Sequence, residues 1–540
     1  MNLMSHILQR KLELPPPLTR DVVVQKDLCV PMPDGVELLA NRWAPRGGGE
    51  GLPTALLRSP YGRAGILGAA MARPLAERGF QVLIQSVRGG FGSGGTMDPM
   101  RQEREDGMAT LEWVVKQPWF GDSMVLVGTS YLGFVQWAVA DQLPPQVKAM
   151  IPHVTESALT LEFLREDGMS LELPFEWGVL TAVQERPWAM LRNRSQAKKT
   201  ARAIHTLPLN RADVAAIGHS SKYIQDILAY DAKHEYWADV DHSHRVAGVK
   251  VPVSSIGGWY DIFLPGQLRD FQALQEAGRP ARLTVGPWTH SEFNNVPVLE
   301  ALEFGLPHAR GEQPQERAEV RLFVMGEDAW RDFDSWPPKG YEPRPFHLQP
   351  DRALSTEPAA ESAADTYRYD PAHPTPAAGG ISISNGGRVD NTALEARADV
   401  LTYTTAVLDE DVEIVGEVSA DIWFRSALAN ADVFVRLCDV GPDGRSHNIC
   451  DGLTSLSGAD ELSCAAVRLW PTAYRFKRGH RIRVQVSSGS FPRYARNPGT
   501  GEPRATATTL LAADQAVYYG PEHPSAVILP VRSTAGSGNP

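Results

Sequence analysis

Between Met124 and Trp137 the sequence changes character at a single corner. Met124, Val125, Leu126 and Val127 read as a short buried strand, and the apolar positions from Leu132 onward suit a helix, which leaves Gly128, Thr129 and Ser130 in the turn between them. A hydroxyl at such a corner is lifted above the sheet edge, and the helix behind it begins with unpaired N–H groups able to hold a developing negative charge. A serine that merely caps a helix gives the same local pattern, since Ser is a favoured N-cap residue. The spacing is Gly-x-Ser-x-x-Gly, with Leu132 where the second glycine of the usual Gly-x-Ser-x-Gly elbow stands. The rest of the chain must supply the sheet around this corner.

Upstream, Val22–Val24 and Leu28–Val30, a turn at Pro33, Asp34 and Gly35, and then Val36–Trp43 read as antiparallel strands. From Thr54 the pattern becomes strand, helix, strand, helix: Ala55–Leu57, a helical stretch around Leu67–Arg78, Gln81–Ile84, a helix near Glu103–Gln117, and the corner itself. Such alternation predicts a parallel sheet covered on both faces. After a further strand at Lys148–Pro152 the alternation stops, and Ser157–Tyr236, with Trp177 and Trp188, reads as an insertion of helices, a candidate lid. It resumes with a strand at Val251–Ile256, a helix near Leu268–Ala277 and a strand at Leu283–Val285. Past about Arg317 come short alternating runs, such as Val412–Phe424, Val433–Val440 and Arg481–Ser487, which predict an all-β sandwich. Pro350–Gly380, rich in Ala, Pro, Ser and Thr, is expected to be an extended surface connection within it. The predicted division is an α/β core over 1–152 and 241–316, a helical cap over 153–240, and a C-terminal β domain over 317–540.

A chain of 540 residues is too long for one core. With 53 Lys+Arg against 64 Asp+Glu and no dense basic run, neither a nucleic acid nor an anionic membrane is an expected partner, whereas a homo-oligomer is compatible with the composition. No stretch approaches 18 uncharged apolar residues and no leader-like apolar segment opens the chain, so a cytoplasmic enzyme is the default expectation. Cys29, Cys438, Cys450 and Cys464 lack any C-x-x-C spacing and read as free thiols. The glycine-rich run Gly89–Gly95 lacks the Lys-Ser/Thr ending of a P-loop, and nucleotide binding is not expected.

A serine hydroxyl is a weak nucleophile and needs a base within hydrogen-bond reach and a third group to orient that base. Asp261 follows the strand that ends at Ile256, and His290 follows the strand that ends at Val285. Catalytic groups of open α/β sheets gather at the carboxyl ends of the strands, and the order Ser130, Asp261, His290 is that of α/β-hydrolases. Two other histidine arrangements compete. His153 also lies just past a strand, but a packed histidine under the lid is its stronger reading. Asp241, His242, Ser243 and His244 carry two imidazoles at i and i+2 without further ligands, and read as a polar turn and not as a metal site.

On these residues the chain resembles the cocaine esterase-like hydrolases, relatives of X-Pro dipeptidyl peptidases and α-amino acid ester hydrolases. The matching pieces are Arg58–Arg63 (Arg-Ser-Pro-Tyr-Gly-Arg), Val87–Gly89, Gly128–Gly133, Gly258–Asp261, Gly286–His290, Ser490–Tyr494 and Arg496–Pro498. The resemblance implies an α/β-hydrolase core, a helical cap inserted after the strand near Ile151 and a C-terminal jelly-roll-like domain. It further implies an oxyanion hole made of the Tyr61 hydroxyl and the Tyr131 backbone N–H. The expected reaction is hydrolysis of a small-molecule ester without a metal or organic cofactor. Ile262, Phe263 and Leu264 behind Asp261 form an apolar wall, so Phe263 and Trp177 of the cap are expected to line a pocket for neutral aromatic or short aliphatic acyl groups, unless Glu172 or Glu176 reaches in. The alternatives are an X-Pro dipeptidyl peptidase or an amide or β-lactam acylase of the same family, and, in another class, an inert core carrying a carbohydrate-binding β domain.

Overall fold

The computed structural model describes residues 3–65, 68–158, 168–186, 189–292, 295–383 and 385–533. Its centre is a ten-stranded sheet in the order β1-β2-β4-β3-β5-β6-β7-β8-β9-β10. The strands are β1 (Val22–Pro31), β2 (Glu37–Pro45), β3 (Thr54–Ser59), β4 (Gln81–Ser86), β5 (Met124–Thr129), β6 (Val147–His153), β7 (Val253–Tyr260), β8 (Ala281–Thr289), β9 (Val320–Val324) and β10 (Ala329–Phe333). The run from β4 to β9 is parallel, and β1, β2 and β10 pair antiparallel at the two ends. Successive strand residues face opposite sides, so a strand covered on both faces must be apolar throughout. In β5, Val125 and Val127 enter one core cluster while Met124 and Leu126 enter another, and in β3 Ala55 and Leu57 part from Leu56 in the same way.

The helices used below are α1 (Glu103–Val115), α2 (Tyr131–Trp137), the cap helices α3 (Glu172–Val183), α4 (Ala189–Ala203), α5 (Ala212–Ile217) and α6 (Lys222–Ala229), and α7 (Leu264–Glu276). The expected insertion of helices between β6 and β7 is present; Trp188 lies outside the described residues. Among the described residues no helix is long and apolar enough to cross a membrane.

Three expectations change. The central sheet does not stop at residue 316, because β9 pairs in parallel with β8 and carries β10 beside it, so a division at 317 falls inside the sheet. The stretch Pro350–Gly380 is not merely a connection. Ala363–Tyr369 forms a strand paired with Ala513–Tyr519, and its alternate residues Tyr367 and Tyr369 are buried, an inward-facing period that the Ala- and Pro-rich flanks obscure in the sequence. The strands preceding Asp261 and His290 run four residues past Ile256 and Val285, to Tyr260 and Thr289. Glycines within them hid this continuation, and both side chains consequently stand directly at strand ends.

Beyond β10 the chain forms a sandwich of two antiparallel sheets, of seven and four strands. Val412–Ser426 is its longest strand and pairs with Ser463–Phe476 on one side. Cys438 and Cys450 are buried within it, and all four cysteines are free.

Candidate active site

Ser130 sits at φ 58° and ψ −125°, a region that residues with a Cβ rarely adopt and that persists only when surroundings impose it. Here they do. Its N–H donates to the His153 carbonyl at 2.9 Å, and its carbonyl accepts from Gly133 and Phe134 of α2 at 2.8 and 3.0 Å. A Cβ on Gly128 would lie 2.4 Å from the Leu132 Cβ, and one on Gly133 would lie 2.3 Å from Thr155 Cγ2. Close backbone approach therefore requires glycine at 128 and 133. Position 132 instead contributes a buried leucine to the core beneath the sheet, which accounts for the unusual Gly-x-Ser-x-x-Gly spacing.

His290 Nε2 stands 2.9 Å from Ser130 Oγ, and His290 Nδ1 stands 2.7 Å from Asp261 Oδ2. An ionised carboxylate can only accept, so Nδ1 carries the proton and Nε2 is left to accept from the serine hydroxyl. Asp261 is fully buried; its Oδ1 accepts the Phe263 N–H at 2.9 Å, which fixes the carboxylate plane. The Phe263 ring meets the imidazole edge-on with centroids 5.4 Å apart.

The Tyr61 hydroxyl accepts a hydrogen bond from Trp177 Nε1 at 2.9 Å and also interacts with Ser130, while burial pushes its pKa up and keeps it protonated. Since the oxygen accepts from the indole, the hydroxyl proton remains available to another acceptor. Tyr131 opens α2, so its N–H lies in the first turn, where no intrahelical carbonyl can reach it. Trp177 does come to the site, but beside Tyr61 and Tyr131: its ring stacks on Tyr131 at 5.8 Å and packs edge-on against Tyr223. Of the two expected wall residues, Phe263 is the one that stands against His290.

The competing histidines fall away. Burial, with His290 nearby, pushes the His153 imidazole down to about 3 and keeps it neutral beneath the sheet edge. His242 packs against Phe134, burial pushes it down to about 4, and Asp241 accepts from Ser243 N–H and Oγ–H in a turn. Among the described residues no group of three or more His, Cys, Asp or Glu side chains could hold a metal ion. Phe91 of the glycine-rich run packs on Gly62 of the Tyr61 loop, where a Cβ would meet the ring at 2.9 Å.

Two contacts of the site were not specified by the sequence. Trp470, from the sandwich, donates its indole N–H to the Asp261 carbonyl at 3.2 Å, a contact across 209 positions. Glu172, at the start of α3, shares with Ile262, Ser382, Trp470 and Arg493 a cavity of about 20 Å³, room for one water. Burial and then Glu176 push the Glu172 carboxyl up to about 7, against a hydrogen bond from Ser382 and the charge of Arg493. Arg493 belongs to the Ser490–Tyr494 motif, and Glu172 is one of the two cap carboxylates named from the sequence as able to reach in; their meeting at this seam is what the sequence did not show.

An open, mainly parallel sheet with a strained serine at a strand-to-helix corner, a histidine and an aspartate at later strand ends, and an inserted helical cap defines a serine hydrolase of the α/β-hydrolase type. The family model for X-Pro dipeptidyl-peptidases (S15 family) matches residues 34–292, and that for the X-Pro dipeptidyl-peptidase C-terminal non-catalytic domain matches residues 314–528. Cocaine esterase from Rhodococcus sp. (strain MB1 Bresler) is 32% identical over 573 residues, covering 94% of this chain and 98% of the relative. The chain belongs to this CocE/NonD family of serine hydrolases. An aminopeptidase from a marine sediment Thaumarchaeota archaeon shares the fold with a TM-score of 0.83 at 21% identity, covering 96% of this chain and 98% of that one. An α-amino acid ester hydrolase does so with a TM-score of 0.81 at 21% identity over the same shares.

Proposed function

We propose that this protein is a serine esterase in which Ser130 is the nucleophile, His290 the base and acid, and Asp261 the group that orients the imidazole. Ser130 Oγ attacks the acyl carbonyl as its proton passes to His290 Nε2, and the imidazolium is stabilised by Asp261. The negative charge that develops on the carbonyl oxygen is held by the Tyr61 hydroxyl and the Tyr131 N–H. His290 then protonates the leaving alkoxide, and water repeats the sequence on the acyl-enzyme. The observation that carries this reading is the unbroken chain from Ser130 Oγ through His290 to Asp261, with separations of 2.9 and 2.7 Å. A fluorophosphonate should label Ser130 in the wild type, and Ser130→Ala should lose the label and turnover by roughly a millionfold while still folding. An unlabelled serine, or a Ser130→Ala variant near wild-type rate, overturns the assignment.

The acyl group is proposed to be neutral and hydrophobic, aromatic or short aliphatic. Ile262, Phe263 and Leu264 offer no partner to an ammonium, which would lose water there at a cost of several kcal/mol, whereas a phenyl or alkyl group gains from burial. One observation supports a second reading, hydrolysis of α-amino acid esters or amides: Glu172 lines a small cavity together with Ile262, the residue after Asp261. A phenylacetate ester and the matching phenylglycine ester separate the two. The first reading expects a higher kcat/KM for phenylacetate, and a clear preference for the charged substrate decides for the second.

A further inference from the structure

Beneath the site lies a buried ion pair that the mechanism above does not use. Arg58 is in β3, three residues before Tyr61, and Glu103 opens α1; both side chains are almost fully enclosed. Arg58 Nη2 meets Glu103 Oε2 at 2.9 Å, Arg58 Nη1 donates to the Glu103 carbonyl at 2.9 Å, and Arg58 Nε donates to Gln85 Oε1 at 2.8 Å. The other carboxylate oxygen, Glu103 Oε1, accepts the Tyr131 hydroxyl proton at 2.7 Å, and the Tyr131 oxygen accepts the Met100 N–H at 2.7 Å. Gly107 leaves room for the guanidinium, since a Cβ there would come within 3.0 Å of Arg58 Nη1.

A buried ion pair gives little net stability over an apolar replacement, so its energy is not a sufficient reason for its presence. Its geometry supplies another. The two oxyanion donors come from separate parts of the chain, Tyr61 from the loop after β3 and Tyr131 from the start of α2. Glu103 joins the two: through Arg58 it is tied to β3, the strand that leads into the Tyr61 loop, and through the tyrosine's own hydroxyl it holds Tyr131 directly. From the cap side Trp177 bridges the same two residues, stacking on Tyr131 and donating to Tyr61. We propose that Glu103 is a positioning residue that fixes the separation of the two halves of the oxyanion hole. This rests on the oxyanion assignment given above. Donors that stabilise a transition state act only at about hydrogen-bond distance from the oxyanion, and a misplacement near 1 Å costs on the order of 100-fold in rate.

The test uses the full-length enzyme with Glu103→Gln and Tyr131→Phe. Tyr131→Phe deletes one oxygen and keeps the backbone N–H that serves the oxyanion, so it carries the test should Glu103→Gln fail to fold. Both variants should bind fluorophosphonate at Ser130 and keep KM within about threefold while kcat falls by roughly 10- to 100-fold. A merely structural role would not alter hydrogen bonding at the reacting carbonyl. The carbon-13-labelled carbamoyl-enzyme formed from p-nitrophenyl dimethylcarbamate reports on this directly, and its carbonyl stretch should move to higher frequency in each folded variant. A kcat within about threefold of wild type, or a fallen kcat with an unmoved stretch, overturns the proposal. Failure of the wild type itself to be labelled at Ser130 would instead remove the triad assignment, and this proposal with it.

Discussion

Two fully buried aspartates do opposite work in this molecule. Asp261, at the carboxyl edge of the central sheet, meets a histidine; Asp451, inside the sandwich, meets two arginines. Asp451 Oδ2 accepts from Arg436 Nε and Nη2 at 3.1 and 2.9 Å, and its Oδ1 pairs with Arg493 Nη1. The two arginines hold its carboxyl below the usual range although burial alone would raise it. The difference lies in the partner. An arginine never gives up its proton, so the sandwich cluster is a fixed cross-link, whereas an imidazole can take and return one. Burial of a carboxylate therefore does not by itself mark chemistry; the proton mobility of the group beside it does.

This contrast predicts that substitutions at the sheet edge cost rate and leave stability, and that substitutions in the sandwich do the reverse. Between the two aspartates the larger effect on rate is expected for Asp261→Asn, which keeps the shape but favours the wrong imidazole tautomer and should lower kcat by about 10,000-fold. Circular dichroism melting close to wild type alongside that loss would uphold the contrast, and a collapsed fold would break it. Tyr61→Phe, which keeps the ring, should lower kcat by roughly 100- to 1,000-fold with less effect on KM, as measured with a chromogenic ester.

Asp451→Asn should leave the rate per folded molecule within a few-fold while costing about 3–5 kcal/mol of stability, because Arg436 and Arg493 lose their counter-charge in a buried site. The sign with pH follows from the depressed folded pKa. The stabilisation is present above the ordinary aspartate pKa of about 3.9 and is lost as pH falls through the lower folded value, so the gap between wild type and variant in urea denaturation should shrink from pH 7 to pH 3.

Glu172, at the seam between cap, core and sandwich, gives the smallest effect and the opposite sign. Its folded pKa of about 7 lies above the ordinary glutamate value near 4.3, so the folded state binds the proton more tightly and stability falls as pH rises between those two values. Glu172→Gln should therefore raise the apparent melting temperature by about 2 °C at pH 8 and not at pH 4. An equal shift at both values would mean that packing, and not charge, sets the change.

Much of the candidate site's layout was legible in the sequence because its signals are local. The corner at Ser130 announces itself within Met124–Trp137, and Asp261 and His290 each follow an apolar run. Less was legible where partners are distant. Trp470 reaches Asp261 from another domain, and Trp177 could be assigned to the cap but not to Tyr61. The strand at Ala363–Tyr369 was masked by the composition around it, since its inward residues, Tyr367 and Tyr369, are few.

What the sequence determined by itself is the order and type of most elements along the chain, the strand-to-helix corner at Ser130 and the loops that carry Asp261 and His290. Those features rest on periodicity and turn chemistry, which act between neighbours a few residues apart. Only the tertiary structure decided which side chains meet: Glu103 gripping Arg58 and Tyr131, Trp177 turned toward Tyr61, and Trp470 behind Asp261 with Arg493 over its ring. These contacts join residues dozens to hundreds of positions apart. Side-chain direction and close packing of whole domains set them, and no local pattern in the chain encodes where a distant side chain will come to rest.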